Sequence, residues 1–368
     1  MRLLQITASD VWRGHEQQIV YYYEEFSNKI EYQVLICPEN TQLSEIAYSK
    51  KFNIHTLPFH SEYDRRWIKL INEVIKNERI DIILIHNSTS HTLCVMSSLF
   101  YGWKTPMVFF RTLIKKIDTN FFRKWKYNYK HLRKIVCVSE AVRQVLLPAI
   151  KDKNRLSIVG SATNLEEFSR TYPTGKLKKE LKLEDNNILI ANISAFVTFK
   201  DHYTFVDAAY IIEKELPNAI FLLIGKGELE TEIKKYVSSK NLDKKIIFLG
   251  FRKDIPELFP EFDLFLFTSK LEPTGGVLLE AYASKVPIVA TRAGGIPEVV
   301  VDNKTGLLCE KENPNDFAQK AIKILKDENL KNTLIENGYN HLLKNFTKEV
   351  IAKKMLNEIE KVYLDNKK

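Results

Sequence analysis

The strongest constraint on this chain is an alternation of short apolar runs of strand length with longer stretches of helical period. That pattern predicts βαβ units built around a parallel sheet. It occurs twice. In the front half, runs at 3–7, 33–37, 82–86, 107–110 and 135–138 are followed by segments of helical period such as 16–29 and 141–147. In the back half, runs at 188–193, 220–224, 246–249, 264–267, 288–290 and 306–308 repeat the scheme. Between them, 167–184 is polar, with Pro173, Gly175 and a lysine cluster, the composition of a linker. The expected fold class is α/β, two Rossmann-like doubly wound parallel-sheet domains facing across a cleft. The expected domains are 1–168 and 169–346, with a last helix at 347–364 packing back on the first.

A chain of 368 residues is long enough for two cores. With 45% hydrophobic and 27% charged residues it is neither disordered nor fibrous. No apolar run approaches the ~18 residues of a membrane-spanning helix. The opening MRLLQITASD has no signal-peptide pattern, so the expected location is the cytoplasm. Cys37, Cys94, Cys137 and Cys309 form no metal or disulfide spacing and read as buried thiols. The net charge of +9 is uneven, with 24 Lys+Arg against 17 Asp+Glu in 1–168 and 31 against 29 after it. Either the front half meets an anionic partner or the chain has a lysine-rich solvated surface.

Ten of the thirteen glycines follow residue 171, so loops that let backbone approach a ligand concentrate in the back domain. In an open parallel sheet such loops lie at the carboxyl ends of the strands. The run Glu272-Pro-Thr274-Gly275-Gly276-Val277-Leu-Leu-Glu280 follows the strand at 264–267. Its glycines precede a helical period, where free N–H groups at a helix start hold a phosphate or sugar oxygen. Its carboxylates suit paired hydroxyl donors of a sugar or ribose, or are surface glutamates. Gly294-Gly295-Ile296-Pro297-Glu298 reads as a second tight turn where backbone touches an anion, and Gly225-Lys226-Gly227 as a plain turn. Lys200-Asp201-His202 places a lysine after the strand at 188–193, either to neutralise a diphosphate or as one ordinary lysine among 55 basic residues.

Taken together with Trp12-Arg13-Gly14-His15-Glu16-Gln17-Gln18, 81–86 and 138–143, these segments resemble glycosyltransferase family 4, a retaining, nucleotide-sugar-dependent family of GT-B architecture (glycosyltransferases group 1). The resemblance is densest over 188–308. It implies that Glu280 binds the ribose, and that Glu272 with the backbone of Thr274, Gly275, Gly276 and Val277 holds the donor sugar. Lys200 and the backbone at Gly14 approach the diphosphate, and Gly250 and Phe251 read the base. It also implies a front domain that binds the acceptor, a cell-envelope glycan or lipid-linked molecule such as a lipopolysaccharide or capsule precursor.

One departure stands out. The family usually carries an arginine five residues before the lysine, and this chain has Ala195 there. Arg13, Arg292, Lys270 and Arg111 are the candidate replacements, and Arg111 also falls where many members carry an active-site histidine. His86 and His91 follow the strand residues 82–85 and are the histidines best placed for the cleft, as contacts to donor or acceptor or in a core or surface role. The candidate catalytic set is therefore Glu272, Lys200, Arg111 and His86. With Ala195 unreplaced, the alternative is a catalytically silent GT-B protein that binds a glycan or a partner. No Asp-x-Asp occurs, so no metal and no cofactor beyond the sugar nucleotide is expected.

The segment 111–134 holds nine Lys+Arg against Asp118, with Phe121, Phe122, Trp125, Tyr127 and Tyr129 interleaved. A basic, aromatic stretch of helical length docks on an anionic bilayer, here at the inner face of the cytoplasmic membrane, or is a solvated helix whose aromatics enter the core. No nucleic-acid-binding motif accompanies it, and nucleic acid is not an expected partner.

Overall fold

The computed structural model describes residues 1–12, 14–117, 120–169 and 172–367. Arg13 and Asp118, both weighed above, lie outside the described residues. The chain divides into two compact units. Unit 1 is Met1–Ala162 with the C-terminal helix Lys348–Lys367, and unit 2 is Thr163–Thr347.

In unit 1, β1 (Arg2–Ile6), β2 (Tyr32–Pro38), β3 (Ile54–Leu57), β4 (Ile82–Ile85), β5 (Met107–Arg111), β6 (Leu132–Cys137) and β7 (Leu156–Ile158) form one parallel sheet in the order β3-β2-β1-β4-β5-β6-β7. The central strands read as unbroken apolar runs because helices cover both faces. Leu3 and Leu4 pair with Ile82 and Ile83, and Ile83 with Met107, all fully buried. Helix Lys348–Lys367 returns to this unit, burying Met355 and Ile359 and packing on helix Gly14–Phe26.

In unit 2, β8 (Ile188–Ile193), β9 (Ala219–Ile224), β10 (Ile246–Gly250), β11 (Leu264–Phe267), β12 (Ile288–Thr291) and β13 (Leu307–Cys309) lie parallel in the order β10-β9-β8-β11-β12-β13. One apolar core forms on each face, around Phe265 and Leu279 on one side and Phe205 and Phe317 on the other. The order reverses between β8 and β11, so the loops that follow those two strands are neighbours. This is the α/β class that the alternation predicts, one parallel sheet to each unit.

Two expectations are corrected and two strands are added. The division falls at Ala162, not at 168, because Phe168 is buried in unit 2 with its ring against Phe259. The linker composition of 167–184 hides helices Leu165–Ser169 and Lys176–Glu180, whose Leu177 is in the same core. The edge strands β3 and β7 were not anticipated. β3 is only half-buried and β7 has three residues, so neither shows an apolar run.

Candidate functional site

Lys200-Asp201-His202 owes its spacing to a sharp turn after β8. Asp201 sits at φ 52°, a left-handed conformation that aspartate tolerates, and caps helix His202–Glu215 through Thr204. His202 bonds the Ser194 hydroxyl at 3.0 Å, and burial first, then the Lys200 charge, pushes its pKa down to about 3. It is a neutral structural histidine. Thr268, just past β11, donates to the carbonyls of Lys200 and Asp201, which joins the two neighbouring loops.

The outcome is a direct ion pair between Lys200 Nζ and Glu272 Oε2, both mostly buried. The lysine also lies 5.2 Å from the centre of the Phe267 ring. Glu272 is held from behind. Gly295 N–H donates to its carbonyl at 2.9 Å, and a Cβ on Gly294, at φ 54°, would stand 2.1 Å from that oxygen. The Gly294-Gly295 turn therefore seats Glu272, where the sequence suggests an anion contact. Gly225 and Gly227 serve similarly, since a Cβ on either would strike Ser194 or Phe196 backbone.

Gly275, at φ 76°, starts helix Gly276–Ala283. A Cβ on Gly276 would meet nothing within 4 Å, and among the described residues its N–H and that of Val277 have no acceptor. This helix start is open to a ligand oxygen. Thr274 is buried beside it. Glu280 follows one turn on, its carboxylate without a hydrogen-bond or ion-pair partner among the described residues. Burial first, and then the Glu167 charge, pushes its carboxyl up to about 7. Gly250 adopts φ 63° at the end of β10 and accepts from Gly225 N–H at 2.8 Å, while Phe251 is exposed.

Among the proposed replacements for the missing arginine, Lys270 is paired with Glu312 and Arg292 with Asp302. Lys226, expected only as part of a plain turn, is a further cation at this strand end. It is exposed, has no ion pair among the described residues, and its carbonyl accepts Phe196 N–H beside Ala195.

The remaining candidates belong to unit 1. Gly14 opens its first helix and is exposed, next to the ring of His15. His86 follows β4 and is 1% exposed. Its tautomer is set by a relay of amides. Gln33 donates to the Tyr23 carbonyl and Ser27, so its oxygen faces Gln5 Nε2 at 3.1 Å and the Gln5 oxygen faces His86 Nε2 at 2.9 Å. Nε2 thus carries the proton and Nδ1 the lone pair. Burial, then the charge of His15, holds His86 well below 6.5. His91 is buried against Phe109 and Tyr127, on the core side. Arg111, the last residue of β5, shares with His86 a cavity of about 160 Å³.

The basic segment is not one long helix. Among its described residues only Phe121–Tyr127 is helical, Tyr127 and Tyr129 are buried, and Phe121 and Phe122 are 76% and 74% exposed. No described helix is long and apolar enough to cross a membrane.

Residues 12–167 match the family model described as Glycosyltransferase Family 4, and 173–341 match that of Glycosyl transferases group 1. A glycosyltransferase of Methanocaldococcus jannaschii is 31% identical, covering 85% of each chain. The N-acetyl-alpha-D-glucosaminyl L-malate synthase of Bacillus anthracis is 28% identical over 82% of this chain and 79% of its own. An Escherichia coli UDP-Gal:alpha-D-GlcNAc-diphosphoundecaprenol alpha-1,3-galactosyltransferase is 25% identical over 90% and 88%. In fold, the chain matches Anabaena HepE, solved with UDP and glucose, at a TM-score of 0.83 and 18% identity, covering 98% and 99% of the two chains.

Proposed function

The chain belongs to the family 4, group 1 glycosyltransferases and has their GT-B fold, and from that premise we propose that it moves a hexose-like sugar, with retention, from a nucleotide-diphosphate donor to a cell-envelope glycan or lipid-linked acceptor. The observation that carries this reading is the Lys200–Glu272 pair beside the open helix start at Gly276. Donor binding exchanges one partner for another. The diphosphate takes Lys200 and the free N–H groups of Gly276 and Val277, which releases Glu272 to accept hydrogen bonds from sugar hydroxyls. Glu280 accepts from the ribose, and Gly250 with Phe251 borders the base.

In the transfer, the bond from the anomeric carbon to the phosphate oxygen breaks and a bond to the acceptor oxygen forms on the same face. The acceptor proton passes to the departing phosphate oxygen. Lys200 and the helix start stabilise the charge that develops there. Side chains and helix starts neutralise this charge in our reading, without a divalent ion. The lipid-linked acceptors named for relatives such as the galactosyltransferase agree with an enzyme at the inner face of the cytoplasmic membrane. Exposed Phe121, Phe122 and Trp125 among basic residues, with Leu99 and Phe100 at the end of helix Ser88–Tyr101, are its docking surface on anionic lipid.

A thermal-shift screen against UDP, GDP, ADP and CMP with their sugar conjugates tests the donor, since ligand at ~100 times Kd adds ~2.7 kcal/mol. One diphosphate should stabilise the protein equally with and without EDTA; no shift with any of them rejects the reading. Flotation with neutral and anionic vesicles tests the membrane surface, and equal recovery from both rejects it.

A further inference from the structure

The cavity of about 160 Å³ in unit 1 lies at the carboxyl ends of β1, β4 and β5, lined among others by His15, Glu16, His86, Ser88, Arg111 and Thr112. It has room for several waters, or for a small charged group with its neighbouring carbons.

Arg111 is 5% exposed and touches only neutral groups. Its Nη1 donates to the Ser88 hydroxyl at 2.8 Å and its Nη2 to the Lys115 carbonyl at 3.2 Å, while Nε has no partner. Among the described residues no carboxylate is within ion-pair distance of it. A buried guanidinium ordinarily has a counter-charge, because an unpaired charge out of water is strongly unfavourable. Its surroundings add to the imbalance. Ser88 opens a fourteen-residue helix whose N-terminus carries partial positive charge. Lys126 Nζ is 3.2 Å from the Ser88 carbonyl and 2.8 Å from the Thr92 hydroxyl, and its nearest counter-charge, Glu62, lies beyond that hydroxyl, 3.3 Å from Thr92 Oγ1. His91, pressed well below 6.5 by burial and then by Lys126, Arg111 and Arg155, brings no charge of either sign. The one acid on the cavity wall, Glu16, starts the first helix and is 3% exposed. The lone pair on His86 Nδ1, which has no partner, suits a hydroxyl, as an acceptor does.

We propose that this cavity is an oxyanion subsite, in which Arg111 is the counter-charge for a carboxylate or phosphate that the acceptor carries close to the hydroxyl receiving the sugar. The subsite rests on the glycosyltransferase reading for its purpose, but anion binding needs no donor and is measured without one.

The test titrates the full chain by calorimetry with glycerate, glycerol 3-phosphate and glycerol, three ligands that share a backbone and differ in the charged group. At least one anion should bind ten times more tightly than glycerol; a preference for glycerate alone assigns a hydroxy-acid acceptor, and for glycerol 3-phosphate alone a phosphorylated one. Arg111→Met should erase the preference and Arg111→Lys should keep part of it, with UDP affinity the same in all three proteins. No preference in the wild-type protein overturns the proposal without recourse to any variant. So does a preference that survives Arg111→Met, or a variant in which UDP affinity falls while anion affinity holds, which would move Arg111 to the donor. Loss of UDP binding in the wild type with anion preference intact would reject the donor reading and leave this one standing.

Discussion

The two units hold their candidate cations in opposite ways. In unit 2 the candidate cation and carboxylate cancel one another, Lys200 on Glu272, and neighbouring cations are likewise paired, Lys270 with Glu312 and Arg252 with Asp254 and Glu180. In unit 1, Arg111 and Lys126 are held by a serine, a threonine and backbone carbonyls. A paired site is stable empty and must be opened by its ligand, whereas an unbalanced site is completed by one. The first arrangement makes ligand binding an exchange of partners, and its two members should therefore respond differently to truncation.

That contrast yields the largest expected effects. Lys200→Ala and Glu272→Ala should each lower kcat by ~10²–10³, the usual result of removing a preorganised group from the reacting centre. Their effects on UDP should diverge. Glu272→Ala frees Lys200 for the diphosphate and should leave UDP affinity equal or higher, while Lys200→Ala leaves a carboxylate facing the diphosphate and should lower it. UDP titration of both variants decides, and a parallel fall would show that the pair does not open in this way.

Gly294→Ala comes next, as a test of what holds the pair. A methyl group 2.1 Å from the Glu272 carbonyl, on a residue at φ 54°, should cost about 2–3 kcal/mol, visible as a lower Tm. Gly276→Ala, which meets nothing within 4 Å in the protein, should leave Tm nearly unchanged and weaken UDP binding instead.

Glu280 offers a smaller effect with a definite sign. Its carboxyl titrates at about 7 instead of 4.5, and only the ionised form accepts hydrogen bonds at both oxygens from the ribose. The donor KM should therefore fall as pH rises through about 7, and Glu280→Gln should flatten that profile while weakening the donor about tenfold. Stability moves the other way. A carboxyl raised by folding binds its proton more tightly in the folded state, so this group removes stability as pH climbs from about 4.5 to 7, and Glu280→Gln should relieve that loss. A KM profile that is unchanged in the glutamine variant would place the ribose elsewhere.

Most of the fold was legible in the sequence because a strand covered on both faces must be apolar throughout, which picks out the interior strands of both sheets directly. The edge strands β3 and β7 were not, because IHTL and LSI are each interrupted by a polar residue, whereas the edge strands β10 and β13 keep apolar runs. Of the candidate site, Lys200 and Glu272 are found by spacing, each being next to a glycine turn or a helix start after a strand. The role of Gly294 as the seat of Glu272 was not legible, since a glycine that avoids a carbonyl and one that greets an anion read alike in sequence. The imbalance at Arg111 was also invisible, because whether a cation has a carboxylate nearby depends on elements distant in the chain. Residues 88, 111 and 126 come from three different segments.

Lys226 carries the smallest prediction and sharpens the comparison from the unit 2 side. It is an exposed cation there, without an ion pair among the described residues, on the turn whose backbone accepts from Phe196 N–H at 3.0 Å, next to exposed Ala195. Its Cε would lie 3.8 Å from a Cβ on Gly250, so it is within reach of whatever that strand end contacts. An exposed lysine is a screened point charge, and Lys226→Ala should weaken UDP by only about threefold. Affinity for uridine tells which part of the nucleotide it serves. If the lysine compensates for the arginine absent at Ala195, uridine affinity stays the same and Ala195→Arg restores UDP binding in the Lys226→Ala background. If UDP and uridine weaken together, Lys226 belongs to the base, and the diphosphate in this chain relies on Lys200 and the helix start alone.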